Sequence, residues 1–280
     1  MELTAIAVDN ASGDGTAAEL RKAAPWVEVL DMPRNAGFAA GCNEGIRHAG
    51  RVDLIALINP DVRVHESFLA SLATIDWPDD VAARGPLVLT PEGSVEQSAR
   101  GFPRLATAIL GRTSLLPRIL PELAAVRREL RAEPTTGPSD VDWVSGACIV
   151  MPRDRLDRIG QLDDGYFMYW EDADWCRRAR NAGLRVVYDP RIVVTHHQGL
   201  SSRSRPLMTT VAFHRSALRY WRIHAARSPV SVVVAAVLLT VRCLLKLIAD
   251  GIVIIGRSLS AASKRRREAL TTLAGRAGDR

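Results

Sequence analysis

Apolar positions in the first ninety residues recur in two alternating rhythms. Leu3–Val8, Val27–Leu30 and Leu54–Ile58 are short apolar runs of β type, while Thr16–Ala24 and Ala39–Ala49 carry helical spacing. Such alternation predicts a largely parallel sheet covered by helices, with functional loops at the carboxyl ends of its strands. Residues 91–140 break the rhythm with several prolines and a charged helical stretch near Glu122–Arg131, and read as a surface excursion between two halves. Order returns from Val141 to His197. There an apolar run (Trp143–Met151) precedes an acidic helix start at Glu171 and a strand at Val186–Tyr188, with a continuation toward Val194. No internal repeat is present in the sequence.

The pattern changes again near Pro206. A helix is expected over Met208–His224, followed by the very apolar segment Ser228–Gly256. Its longest uncharged window, Ser228–Val241, has 14 residues, short of the roughly 20 a spanning helix needs. Arg242, Lys246 and Asp250 recur every fourth residue, and Arg257 falls near the same face. This spacing fits an amphipathic helix lying along a membrane interface better than a tilted span or a core or oligomer-contact helix. Lys264-Arg265-Arg266-Arg267 follows, and basic charges beside anionic lipid contribute about 1 kcal/mol each. Two regions are therefore expected: 1–205, and a helical, basic, membrane-associating region 206–280.

Charge sharpens this division. The formal net charge of +6 hides 22 Lys and Arg against 28 Asp and Glu in residues 1–200, and 15 against 3 in residues 201–280. A basic tail on an acidic body points to a polyanionic partner, and an anionic membrane surface fits better than nucleic acid because few aromatics are interleaved. At 280 residues, 47% hydrophobic and 24% charged, the chain can bury a substantial core and is not of disordered composition. Cys42, Cys148, Cys176 and Cys243 form no Cys-x-x-Cys pair, which fits reduced thiols in the cytoplasm. The N-terminus lacks the basic and apolar segments of a signal peptide.

Five local patterns could carry chemistry, and each has a plainer reading. Val8 to Thr16 (Val-Asp-Asn-Ala-Ser-Gly-Asp-Gly-Thr) follows a strand; Asp9 could accept a hydrogen bond from a nucleobase or ribose, or the segment is a turn and helix cap. Arg34 to Asn43 is a glycine-containing loop opening a helix, where exposed N–H groups favour phosphate. Asn59-Pro60-Asp61 puts a carboxylate just past a buried strand, suited to a divalent cation on a diphosphate, or forms a simple turn. Gly165 to Arg178 gathers Glu171, Asp172 and Asp174 at a helix start beside an aromatic run, and the helix dipole alone accounts for one or two of the acids. A carboxylate kept ionised there can serve as a general base. His196-His197 follows a strand and offers metal ligands or a structural pair.

Taken in order, these patterns resemble glycosyltransferase family 2, the inverting enzymes of GT-A fold, and most of all its bacterial rhamnosyltransferase-like branch. The motifs D-N-x-S-x-D-G-T, N-x-G-F-A-x-G-x-N, N-P-D-V, G-A-C-x-x-x-x-R, the F-D-x-x-F-F-M-Y-x-E-D-x-D run, G-x-x-V-x-Y-x-P and H-H-x-G are matched at Asp9–Thr16, Asn35–Asn43, Asn59–Val62, Gly146–Arg153, Leu162–Asp174, Gly183–Pro190 and His196–Gly199. The resemblance implies an α/β fold: a Rossmann-like, mixed, mainly parallel sheet flanked by helices. It implies that Asp9 contacts the nucleotide base, with Asn10, Asn35, Gly37, Asn43 and Asn59 near the nucleotide-sugar. Asp61 would hold Mg²⁺ or Mn²⁺ on the diphosphate, completed by His196 or His197. Asp172 would be the general base, supported by Glu171 and Asp174.

The donor implied is a nucleotide-diphosphate sugar, with dTDP-rhamnose the first expectation. The acceptor is expected to be a cell-envelope glycan or polyprenyl-linked sugar, at the cytoplasmic face of the cell membrane. Three departures stand out. Asn59 occupies a position where many relatives carry Asp, and Gln161-Leu162 replaces a common Gly-Phe. Met1 stands eight residues before Asp9, where the family pattern has a further strand and helix, so a start assigned too far downstream is expected in preference to a degenerate protein. A catalytically silent membrane-bound scaffold keeping the same fold is the alternative function. A nucleotidyltransferase is disfavoured, since no N-terminal glycine-rich, Lys- or Arg-bearing phosphate loop is present.

Overall fold

The apolar runs of the first ninety residues form strands in the computed structural model, which describes residues 2–102, 135–197 and 206–278. The charged stretch near Glu122–Arg131 lies outside these residues, as do Gln198 and Gly199 of the histidine motif. β1 (Ala5–Asp9), α1 (Thr16–Ala23), β2 (Val27–Asp31), α2 (Phe38–His48) and β3 (Leu54–Ile58) follow the predicted order with small shifts of boundary. β1 and β2 pair in parallel, with Asp9 opposite Asp31, so both strands end at the same edge. α2 ties this pair to the main core: Ala39 and Ile46 are buried in the core cluster, and Gly45 lies against Val8.

The main sheet adds β4 (Val62–Val64), β5 (Val81–Leu89), β10 (Cys148–Pro152) and β11 (Arg185–His196) to β3 in the order β3-β10-β5-β11-β4. β6 (Val95–Glu96) and β8 (Ser139–Val141) pair with β5 and β11, while β7 (Ala99–Arg100) and β9 (Trp143–Val144) form a separate ribbon. β10 is antiparallel to both β3 and β5, and β11 is parallel to β5. The sheet is thus mixed, with β3, β5 and β11 running one way. Every residue of β10 is buried, as expected for a strand covered on both faces. α3 (Phe68–Thr74), α4 (Arg153–Ile159) and α5 (Glu171–Asn181) flank it.

The run Trp143–Met151 is not one strand. It divides into β9 and β10 around Ser145–Ala147, a break that turns the Gly146 N–H toward α5. The strand expected to reach Val194 does so as β11, with a register irregularity between Asp189 and Val193.

α6 (Pro206–His224) and α7 (Pro229–Gly278) form an antiparallel pair. α6 rests on the segment leading into α5: Ser216 Oγ donates to the Met168 carbonyl at 2.9 Å, and Arg219 pairs with Asp163 at 2.7 Å. Region 206–280 therefore shares close contacts with the preceding α/β body. The recurring charged residues of α7 face α6. Arg242 meets His214, Asp250 meets Thr210, and Lys246 pairs with Asp250, all along the seam with α6. Val233, Val237, Val241, Leu244, Leu245, Ile248 and Ile252 are exposed instead. Because α6 supplies polar partners, the charges interrupt the sequence without interrupting the apolar surface. Pro229–Ile254, 26 residues of mean hydropathy 2.4, is long and apolar enough to cross a membrane by length and composition.

Candidate active site

Two N-terminal loops are built against each other. Asp9 Oδ1 accepts the Ser12 N–H at 3.1 Å, closing a turn at the end of β1. Asp14 Oδ1 accepts from Ser12 Oγ and the Thr16 N–H, and these bonds, Thr16 foremost, hold its carboxyl down at about 2. Asn10 Nδ2 donates to the Gly37 carbonyl at 2.7 Å, and its Oδ1 accepts the Ala36 N–H at 2.9 Å. Asn35 Oδ1 accepts the Gly37 N–H at 3.0 Å. Gly37 has φ +95°, and a Cβ there would lie 2.4 Å from the Phe167 carbonyl oxygen, which also accepts the Phe38 N–H. Only glycine allows this approach. Asn43 is buried on α2 with both ends of its amide on the Leu162 backbone, at 2.8 and 3.1 Å. Asn10 and Asn43 thus brace the walls of the region.

The second group stands where β3 ends. The Asn59 N–H donates to the Ala147 carbonyl, and the His197 N–H to the Asp61 carbonyl. Pairing of β4 with β11 sets His196 opposite Val62, one residue from Asp61. His196 Nε2 consequently lies 3.2 Å from Asp61 Oδ1, with side chains 13% and 10% exposed. Its other nitrogen, Nδ1, lies 2.9 Å from Glu96 Oε2. His197 is exposed. Asp61 oxygen and His196 nitrogen at one spot suit a divalent cation, and Asn59 Oδ1, buried without a hydrogen-bond partner, stands two residues away. Among the described residues no set of three His, Cys, Asp or Glu side chains is arranged to hold a metal unaided.

The third group opens α5. Tyr169 and Trp170 adopt φ of +67° and +74°, an unfavourable conformation for aromatic residues. Trp170 is held there by Phe213 and Tyr220 of α6, with ring centroids 5.6 and 5.3 Å away. The three carboxylates then part company. Asp172 Oδ2 accepts the Gly146 N–H at 2.8 Å, and Oδ1 accepts the Ala173 N–H at 2.8 Å. Burial pushes the Asp172 carboxyl above the usual range, against the pull of these bonds and of Arg100. Glu171 points into the protein with Oε2 unpartnered; burial first, and Asp172 second, raise its carboxyl well above the usual range. Burial pushes the neighbouring Cys42 thiol on α2 up to about 12.

Asp174 faces α6. Its carboxylate meets His224 Nε2 at 2.6 Å and Arg178 Nε at 2.9 Å, which outweigh burial and lower its pKa. Asp172 and the Asn59–Asp61 turn are linked through neighbouring residues, since Gly146 donates to the first and Ala147 accepts from the second. Both therefore stand at one end of β3 and β10. Glu96, Arg100 and His224 were not legible as site residues, because none belongs to a local pattern; only the paired strands and docked helices bring them here. Gly146 opens the Gly146–Arg153 motif, but its partner Asp172 is set by the fold.

A family model described as "Glycosyl transferase family 2" matches residues 1–90. The chain is 34% identical over 230 residues to N-acetylglucosaminyl-diphospho-decaprenol L-rhamnosyltransferase of Mycobacterium tuberculosis, covering 76% of this chain and 73% of that protein. It is 22% identical over 202 residues to the dTDP-rhamnosyl transferase RfbF of Shigella flexneri, covering 71% and 62%. Among solved structures, GalNAc-T7 with UDP, GalNAc and Mn²⁺ superposes with a TM-score of 0.53 at 16% identity, over 78% of this chain and 42% of that one. This last likeness concerns the fold.

Proposed function

This chain belongs to glycosyltransferase family 2, and from that membership we propose that it is an inverting rhamnosyltransferase acting on a polyprenyl-diphosphate-linked sugar. Rhamnosyl transfer is supported by the names of the relatives from Mycobacterium tuberculosis and Shigella flexneri, and a lipid-linked acceptor by the first of these. The donor in this reading is dTDP-rhamnose.

The observation that carries the chemistry is the Asp172 carboxylate, fixed by the Gly146 N–H at the sheet end where Asp61 and His196 meet. Asp172 takes the proton from the acceptor hydroxyl. That oxygen attacks the anomeric carbon on the face opposite the diphosphate, the bond from carbon to the diphosphate oxygen breaks, and the configuration inverts. No protein nucleophile is needed. Asp61 and His196 are the residues that would hold Mg²⁺ or Mn²⁺, whose charge would offset that of the leaving diphosphate. Asp9, at the end of β1, faces the base or ribose, while Asn10, Asn35 and Gly37 shape the donor wall. Glu171, buried beside Asp172, backs it, and Asp174 anchors α5 to α6.

The exposed apolar side of α7, with 11% of its most apolar window buried, supports membrane attachment at the cytoplasmic side, next to a lipid-linked acceptor. The direct test compares wild type with Asp172→Asn for transfer and, by calorimetry, for donor binding. Loss of transfer with donor binding retained is expected. Equal loss of both removes Asp172 from the role of base, and a wild-type chain inert toward all rhamnosyl acceptors favours the silent scaffold.

A further inference from the structure

Arg242 lies in the seam between α6 and α7, on a helix whose neighbouring Val241, Leu244 and Leu245 are exposed. Its Nη1 donates to His214 Nε2 at 2.6 Å, and its guanidinium carbon lies 5.6 Å from the Phe213 ring centroid. The protonation of His214 follows from its other contact. Nδ1 lies 2.7 Å from the Thr210 carbonyl oxygen, which can only accept, so Nδ1 carries the proton and Nε2 presents its lone pair to Arg242. The imidazole is therefore neutral, as its burial also favours.

Arg242 is thus positioned by a neutral ring nitrogen and an aromatic face. Among the described residues no carboxylate is recorded pairing with it. One turn on, Lys246 has its counter-ion in Asp250, which also accepts from Thr210 at 3.0 Å. A partly buried guanidinium without a carboxylate, in an apolar stretch of helix, is costly for stability alone and marks a functional position.

Its place in the fold indicates the ligand. Phe213, on which Arg242 stacks, also touches Tyr169 and Trp170 at 5.9 and 5.6 Å between ring centroids. These residues immediately precede Glu171 and Asp172. One layer of aromatic rings thus separates the Arg242 guanidinium from the turn carrying the base. An acceptor whose sugar reaches Asp172 while its isoprenoid lies beside α7 must pass its anionic linkage through this neighbourhood.

We infer that Arg242, presented by His214 and Phe213, binds the diphosphate that joins the acceptor sugar to its isoprenoid chain. The inference rests on the lipid-linked acceptor of the proposed function. Arginine's planar fork suits two phosphate oxygens at once, where an ammonium offers a point charge.

The test is binding, which needs no turnover. The full chain is floated with phosphatidylcholine vesicles doped either with polyprenyl diphosphate or with phosphatidylglycerol at equal charge. Wild type is expected to prefer the diphosphate vesicles by about tenfold or more. Arg242→Gln should abolish that preference and Arg242→Lys reduce it, with phosphatidylglycerol binding and donor affinity unchanged. Should Arg242→Gln fail to fold, wild type decides alone: geranyl diphosphate must displace it from the doped vesicles at concentrations where inorganic diphosphate does not. Equal binding to both vesicles, equal loss on both in Arg242→Gln, or no displacement by geranyl diphosphate overturns the inference. A protein that binds as expected yet transfers no sugar sinks the transferase reading and leaves the site standing; an active enzyme without the preference does the reverse.

Discussion

His224 Nε2 and Asp174 Oδ1 meet at 2.6 Å across the junction of α6 and α5, with side chains 6% and 2% exposed. This buried contact joins the C-terminal helices to the helix that carries Asp172. His224→Ala leaves Asp174 to Arg178 and a distant Tyr166 hydroxyl. A loss of about 1–3 kcal/mol in unfolding free energy is expected in denaturant titration, with donor affinity unchanged. Stability that does not move assigns the pair no anchoring role.

The same aspartate sets an acid limit. Its folded pKa lies below the ordinary value of 3.8, because His224 and Arg178 outweigh the effect of burial. The sign follows: its stabilising contribution is present above the ordinary value and is lost as pH falls from there through the folded one. Asp174→Asn should show a correspondingly smaller loss of stability over that interval in thermal melts across acid pH.

Glu171 and Asp172 should separate cleanly in kinetics. Burial raises the carboxyls of both, but only Asp172 is held by the Gly146 N–H, while Glu171 points into the protein with Oε2 unpartnered. Glu171→Gln should keep most activity, whereas Asp172→Asn should lower kcat by about 100- to 10,000-fold. Activity should rise with pH through a value above the ordinary carboxylate range. Retention of that limb in Asp172→Asn would point to another group.

Glu96 orients His196 through Nδ1, leaving Nε2 toward Asp61. Such outer partners typically change metal affinity by about 10- to 100-fold. Glu96→Ala should weaken Mn²⁺ binding by that factor in electron paramagnetic resonance titration, with Glu96→Gln losing less. Unaltered affinity in both variants removes Glu96 from the cation site.

Gly37→Ala tests the contact between the two walls. Its φ of +95° and the 2.4 Å approach to the Phe167 oxygen leave a methyl group no room. The backbone conformation alone costs a non-glycine residue about 1–3 kcal/mol. A lower Tm and weaker donor binding are expected together; a fully stable variant with normal donor affinity contradicts this packing.

Much of the α/β body was readable from local pattern. Leu54–Ile58 is a strand with the boundaries its apolar run predicts, and the acidic run opens α5 at Glu171 as expected. The candidate site was legible as residue types but not as partners. His196 and His197 are indistinguishable in sequence, yet the register of β11 on β4 sets one against Asp61 and leaves the other exposed. Asp172 and Asp174 look equivalent until the Gly146 turn and α6 claim one each.

Periodicity and turn chemistry act over a few residues, so the sequence alone determined the strands, the helices and the order of the motifs. Direction and company were decided by tertiary packing. The four-residue recurrence of Arg242, Lys246 and Asp250 was plain, but it took α6, with His214 and Thr210, to turn that face inward and the apolar one out. A side chain's neighbours come mostly from segments distant along the chain, and no local rule carries that information.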